Sequence, residues 1–299
     1  MSDDSTRSAE PFRFVDPHVH WWDRSNEWLV TATQEQADAF NMGDVSGMNR
    51  NYLRADYAAD ASEAGVEVPK IVWVTATFAP GGATPEVEWV DKLTSGVPEI
   101  AAIIGSVEPG LSREDREQAL AAQSKAAAFR GVRVLAGFDY ESEDADEYMR
   151  MLADGGFVYD LVSHYETMAA AAKLAERHPD VPFILEHCGW PFDMQDPSYI
   201  NAWKKGIDAL ASVESISCKI SGLAMTCHAF NVDTQRPFVE HCIESFGIDR
   251  CMFASNFPVD ALYGSLGELI EMFRAISEPL GDEAVAKLFH ANAELIYGI

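Results

Sequence analysis

Positive charge is scarce in this chain. Its 299 residues carry 22 lysines and arginines against 48 aspartates and glutamates, a formal net charge of −26 at pH 7. So acidic a surface repels phosphate backbones and anionic headgroups, which excludes nucleic acid and membrane surfaces as partners and leaves a small-molecule substrate. Cysteine is also sparse. The five, at 188, 218, 227, 242 and 251, are odd in number and never fall in a C-x-x-C spacing. That argues against a disulfide framework or a zinc knuckle and for a reducing compartment. No run approaches the roughly 18 apolar residues of a membrane helix, and the opening MSDDSTRSAEP lacks the apolar segment of a signal peptide. A soluble, cytoplasmic protein is expected. No G-x-G-x-x-G follows any strand candidate, which disfavours a dinucleotide-binding sheet.

What is present is ordinary globular composition, 47% hydrophobic and 23% charged, arranged as short β-rich runs alternating with helical patterns. Strands are expected at 12–18, 71–77, 100–107, 131–135, 158–163, 182–187, 215–220 and 251–255. Most are continuous apolar runs rather than strict alternations, as in strands buried on both faces of a parallel sheet. Helices are expected at 112–127, 167–178 and 198–211, the second ending on a basic turn before Pro179. Eight such units over about 250 residues predict an α/β fold, a distorted (β/α)8 TIM barrel in a single domain spanning 12–299, behind a flexible N-terminal tail over 1–11. Residues 24–54 carry turn chemistry and little periodicity and are expected to form a long excursion near the barrel mouth.

Functional side chains of such barrels gather at the C-terminal ends of the strands. Asp16, His18 and His20 end the first strand, and His164 and Tyr165 follow the fifth. His187 ends the sixth, Lys219 lies near the end of the seventh, and Asn256 and Asp260 follow the eighth. Side chains two apart on a strand share a face, so the imidazoles of His18 and His20 converge. With His187 they supply three neutral nitrogens suited to one divalent ion. Arg133 on the fourth strand offers a planar fork for a substrate carboxylate or, equally, an internal ion pair. Lys219 sits among apolar neighbours, either as a cation of lowered pKa or paired with a carboxylate. Trp21, Trp22, Trp73 and Trp190 are candidates for apolar pocket walls, with core packing as the alternative.

DPHVHWWD, ILEHCGWP at 184–191, KISGL at 219–223, CMFASNFPVD at 251–260 and the terminal NAELIYG occur in an order that resembles the amidohydrolase superfamily. More narrowly, the chain resembles the amidohydrolase-related (family 2) branch, in the group containing sugar lactonases and 2-pyrone-4,6-dicarboxylate lactonase. The resemblance implies a distorted TIM barrel and a hydrolase acting on a carboxylic ester bond, opening a small lactone by water attack at the carbonyl. It implies catalytic roles for His18, His20 and His187. The strand-eight position, usually aspartate in that family, is Asn256 here, so the proton-shuttling role passes to Asp260 or to a histidine, with Asn256 orienting water. The family's strand-four metal bridge has no match in GVRVL, which disfavours a binuclear site. One zinc or manganese on His18, His20 and His187 and a metal-free site both stand.

Trp22, Arg133, His164, Tyr165 and Lys219 are the expected substrate contacts. Two other functions compete: a zinc-dependent decarboxylase of an aromatic carboxylic acid, and a degenerate barrel that only binds a small molecule. Specificity is expected in 21–54 and 138–146, and a homo-oligomer is compatible with the sequence.

Overall fold

A computed structural model describes residues 11–94 and 96–299; the expected tail lies, but for Pro11, outside the described residues. Eight strands form one parallel sheet in sequence order: β1 (Phe12–Val19), β2 (Val66–Val74), β3 (Ile100–Gly105), β4 (Phe129–Arg133), β5 (Val158–Leu161), β6 (Phe183–Leu185), β7 (Ile216–Ile220) and β8 (Cys251–Phe253). Each neighbouring pair is parallel. The sheet closes on itself just past the strand ends. Val19 bridges Phe257, the His20 amide donates to the Phe257 carbonyl (2.8 Å), and the Asn256 amide donates to the His18 carbonyl (3.0 Å). The result is the expected single-domain (β/α)8 barrel.

The apolar strands are buried on both sides because two layers pack on them. Val15, Val72, Val74, Ala102, Ile104, Ile184 and Met252 form one cluster with Ala293 and Tyr297, while a larger cluster joins the opposite strand faces to the surrounding helices. Residues 72 and 74, and 102 and 104, share a face as strand alternation requires. At the base, Phe289 meets Phe12, Phe14 and Phe253 edge-on. Helix starts follow the local chemistry: Ser112 caps Arg113–Gln123, and Asp196 caps Pro197–Ala211, whose first residue needs no amide donor.

The excursion after β1 is more ordered than its composition suggests. A short helix, Gln34–Ala39, starts on a reciprocal cap: the Gln36 amide donates to Thr33 Oγ1 (3.2 Å) and the Thr33 amide to Gln36 Oε1 (2.9 Å). A 3-10 turn follows at Ser46–Met48. Paired backbone hydrogen bonds between Trp22 and Tyr52 pin its base, and the Trp22 indole donates to the Arg50 carbonyl (2.7 Å). Among the described residues, no helix is long and apolar enough to cross a membrane.

Candidate active site

His18 and His20 converge as their spacing on β1 predicts, with Nε2 atoms 3.1 Å apart. A register irregularity between Asp16 and Val19 breaks the alternation before them. Asp16 turns elsewhere, accepting from the Tyr57 hydroxyl (2.7 Å) and the Ser255 amide (2.9 Å). His20 Nδ1 lies 2.7 Å from the Val74 carbonyl, which can only accept, so Nδ1 carries the proton and Nε2 the lone pair.

His187 follows β6 in a left-handed backbone conformation (φ 53°), and its ring centroid lies 4.6 Å from that of His18. Its Nδ1 pairs with Ser221 Oγ at 2.9 Å. The glycine of KISGL makes room for it: a Cβ on Gly222 would come within 2.7 Å of His187 Cγ. All three imidazoles are buried, and desolvation keeps them neutral. His20 is pushed down to about 3 and His187 to about 4, while His18 falls well below its ordinary value, helped by the Lys219 charge.

Glu186, which sequence reasoning passed over, joins this cluster. Consecutive strand residues point to opposite faces, so an E-H pair offers no such signal. Here the turn at His187 ends the alternation. Glu186 Oε2 accepts from Arg133 Nη1 (3.1 Å), and Oε1 stands 3.5 Å from His18 Nδ1 with no hydrogen-bond partner. Burial alone would raise this carboxyl, but Arg133, Lys219 and His187 outweigh it and hold it below its usual range. Arg133 also donates to the Thr75 carbonyl and keeps an unpartnered Nε. Of its two expected roles, the structure shows the internal ion pair.

His18, Glu186 and His187 present donor atoms within 4.8 Å of one another, a geometry suited to a metal ion. Two observations fit one. Two nitrogens bound tetrahedrally to one zinc at about 2.0–2.1 Å lie about 3.3 Å apart, close to the 3.1 Å between His18 and His20. Moreover, a His18 tautomer with its proton on Nδ1 frees Nε2 as a ligand and faces the orphaned Glu186 Oε1 at 3.5 Å, the usual carboxylate support of a metal-bound histidine, in exchange for the Lys219 contact at Nδ1.

Asn256, with φ 58°, places its amide under the mouth. Its Nδ2 donates to Asp260 Oδ1 (2.9 Å) and approaches the Met225 sulfur (3.5 Å), leaving Oδ1 as the end available to a ligand. Asp260 is buried beneath it, off the cavity lining, and burial pushes its carboxyl up to about 8. It therefore holds a proton at neutral pH. Between the ordinary value of an unfolded aspartate and about 8, the folded state keeps a proton that the unfolded chain has lost. Stability from this group is complete below the unfolded value and falls by about 1.4 kcal/mol per pH unit as pH rises toward 8. Asp260→Asn removes that dependence. In urea titrations its stability relative to the unsubstituted protein should improve by about 2 kcal/mol between pH 6 and pH 8; a difference that stays flat with pH would show an ordinary carboxylate.

These groups form the floor of a cavity of about 290 Å³, which His20, Arg133, His187 and Asn256 all line. Its walls are Trp22, Ala76, Phe78, Leu135, Ala136, Trp190, Met225 and Val259, and the excursion supplies Thr31, Ala32, Gln36, Phe40, Met42 and Met48. Of the four tryptophans expected as pocket walls, Trp22 and Trp190 border it, while Trp21 and Trp73 are core residues.

The other expected contacts lie apart. Lys219 is fully buried beneath the site, donating to Asp160 Oδ2 (2.5 Å), 3.4 Å from His18 Nδ1, over the Tyr297 ring. It is held by a carboxylate and does not line the cavity. The His164 ring lies tilted beside Phe192 and the Tyr165 ring meets Tyr199 edge-on, both outside the lining. Of 138–146, Phe138 packs on Tyr140, Tyr148 and Tyr159 instead.

An uncharacterized protein, y4mH, of Sinorhizobium fredii is 32% identical to this chain over 305 residues, covering 95% of this chain and 98% of that protein. An L-fucono-1,5-lactonase of Burkholderia ambifaria is 24% identical, covering 95% of each. The crystal structure of an amidohydrolase from Burkholderia multivorans with bound zinc superposes with a TM-score of 0.79 at 19% identity, over 96% of this chain and 99% of that one. Residues 15–299 match the model of the Amidohydrolase family, and with the barrel and its clustered histidines already in place, the chain belongs to that family of enzymes.

Proposed function

We propose that this protein hydrolyses a lactone, with water attacking the ester carbonyl on the cavity floor. The observation that carries this reading is the set of buried neutral imidazoles facing one small cavity beside Arg133 and Asn256. The likeness to a lactonase at low identity supports it. A neutral imidazole can take a proton at pH 7 where an imidazolium cannot. Water is oriented by Asn256 Oδ1, whose direction Asp260 fixes, and gives a proton to His187 as its oxygen bonds to the carbonyl carbon. Charge developing on the carbonyl oxygen meets the unpartnered Nε–H of Arg133, in a site where low dielectric strengthens the interaction. The ring C–O bond then breaks, and His187 returns the proton to the departing alkoxide, giving the open hydroxy acid.

Asn256 cannot serve as base, and Glu186 is held by Arg133 off the cavity lining, so this reading assigns the proton transfer to His187. A divalent ion held by His18 and His20, with Glu186 supporting His18, would lower the pKa of water and polarise the carbonyl while leaving His187 free as the base.

The test is proton release from a panel of five- and six-membered lactones by purified protein, with metal content measured on the same sample. Saturable hydrolysis of at least one lactone is expected. Failure on every cyclic ester, with carbon dioxide released from an aromatic carboxylic acid, would replace this reading with the decarboxylase.

A further inference from the structure

If the protein is a lactonase, its cavity selects a class of lactone as well as a reaction. The walls are made by Trp22, Phe40, Met42, Met48, Trp190 and Met225. Phe40 stacks on Trp190 with centroids 5.3 Å apart, so the excursion and the post-β6 turn close one continuous apolar face over the floor. Three methionines add unbranched side chains that adapt to a ligand's shape.

Polar groups on the rim are few, chiefly Thr31, Gln36 and the Trp22 indole, and part of their capacity is already used. Gln36 Oε1 accepts from the Thr33 amide in the helix cap, and Thr31 Oγ1 faces the Arg24 guanidinium. The Trp22 indole donates to the Arg50 carbonyl. A sugar lactone carries a hydroxyl on most ring carbons, and each one buried without a partner lowers affinity roughly 10- to 100-fold. These walls hold too few donors and acceptors to repay that loss.

The floor is equally informative about charge. Arg133 is paired with Glu186 and Lys219 with Asp160. Among the described residues of the floor, both basic side chains are already paired with a carboxylate, and Arg133 Nε offers one donor, enough for a single carbonyl oxygen. At about 290 Å³ the space lies at the small end of ligand sites.

We infer, on the basis of the lactonase reading, that the substrate is a small, uncharged lactone with an alkyl or aryl substituent, rather than a polyhydroxylated or carboxylated one, and that Phe40 helps to set this specificity. The ester sits on the floor and the substituent against Phe40, Trp190 and the methionines.

Two measurements test this. The first compares kcat/KM for δ-decalactone and dihydrocoumarin with that for L-fucono-1,5-lactone and D-glucono-1,5-lactone. The second measures binding of the matching lactams, 6-pentylpiperidin-2-one and gluconolactam, by calorimetry, which needs no turnover. The inference expects the apolar member of each pair to be favoured at least 100-fold. It also expects Phe40→Ser to weaken the alkyl lactam about tenfold or more while changing gluconolactam less than threefold. A preference for sugar lactones and gluconolactam overturns the inference and leaves the lactonase reading intact. Tight binding of the alkyl lactam without hydrolysis of any lactone upholds the cavity's specificity and overturns the lactonase reading. Binding of neither lactam overturns the inference.

Discussion

His187→Ala should lower kcat/KM for a lactone by roughly 100- to 10,000-fold, the range attached to losing a positioned general base. Several features concentrate the effect on this residue. His20 has its lone pair turned toward His18, and His18 faces Glu186 and Lys219, so both imidazoles are tied to neighbours in the floor. His187 is anchored at Nδ1 by Ser221, which directs Nε2 away from that anchor. Burial holds it neutral down to about pH 4, ready to accept a proton through the physiological range. Removing the ring leaves a cavity and one unpaired hydroxyl, a loss of stability of about 1–3 kcal/mol that a folded barrel of this size should survive. Added imidazole should restore part of the rate in the alanine variant, which a purely structural role would not allow. Ser221→Ala, which loosens the ring without deleting it, should cost about tenfold. Unchanged turnover in a folded His187→Ala protein would remove the histidine from the mechanism.

The barrel was legible because its signals are local. Eight apolar runs at regular spacing mark parallel strands regardless of what they pack against, and all eight appear. The pairing of His18 with His20 was equally legible, since a period of two decides which side chains share a face. Where the backbone leaves regular geometry, the period misleads. The irregularity after Asp16 removes that carboxylate from the histidine face, and the left-handed turn at His187 brings Glu186 into the cluster beside it. Partners distant in the chain were illegible for another reason. Nothing local tells that Lys219 meets Asp160 and Tyr297, or that Cys188, Cys218 and Cys242 gather in the interior. The excursion showed its place from turn composition, but which of its residues form cavity wall depends on a helix cap at Thr33 that only six residues follow. KISGL carried family likeness without a reason, and the structure supplies two: Lys219 for the buried pair, Gly222 for the room beside His187.

Lys219→Met should destabilise the protein by about 3–5 kcal/mol, the loss expected when one member of a buried ion pair is removed and the other is left uncompensated. Lys219 and Asp160 are both fully buried and in direct contact, so solvent does little to screen them. Methionine matches the aliphatic stem of lysine in length, which keeps packing against Tyr297 and isolates the charge. The remaining Asp160 still accepts from the Tyr297 hydroxyl (2.8 Å), but a neutral donor does not balance a full charge in this interior. Asp160→Asn in the Lys219→Met background removes the stranded charge while retaining an acceptor for Tyr297. It should recover most of the loss in urea unfolding at pH 7. Catalysis responds differently. Lys219 approaches His18 Nδ1 but lies off the cavity lining, so the double variant should retain far more activity than His187→Ala. If Lys219→Met costs less than about 1 kcal/mol and the second substitution recovers nothing, the pair does not carry opposite charges in the folded protein. The neutral floor on which the substrate argument depends would then have to be redrawn, with one proton shared between Lys219 and Asp160 and full charge beneath the histidines confined to the Glu186–Arg133 pair.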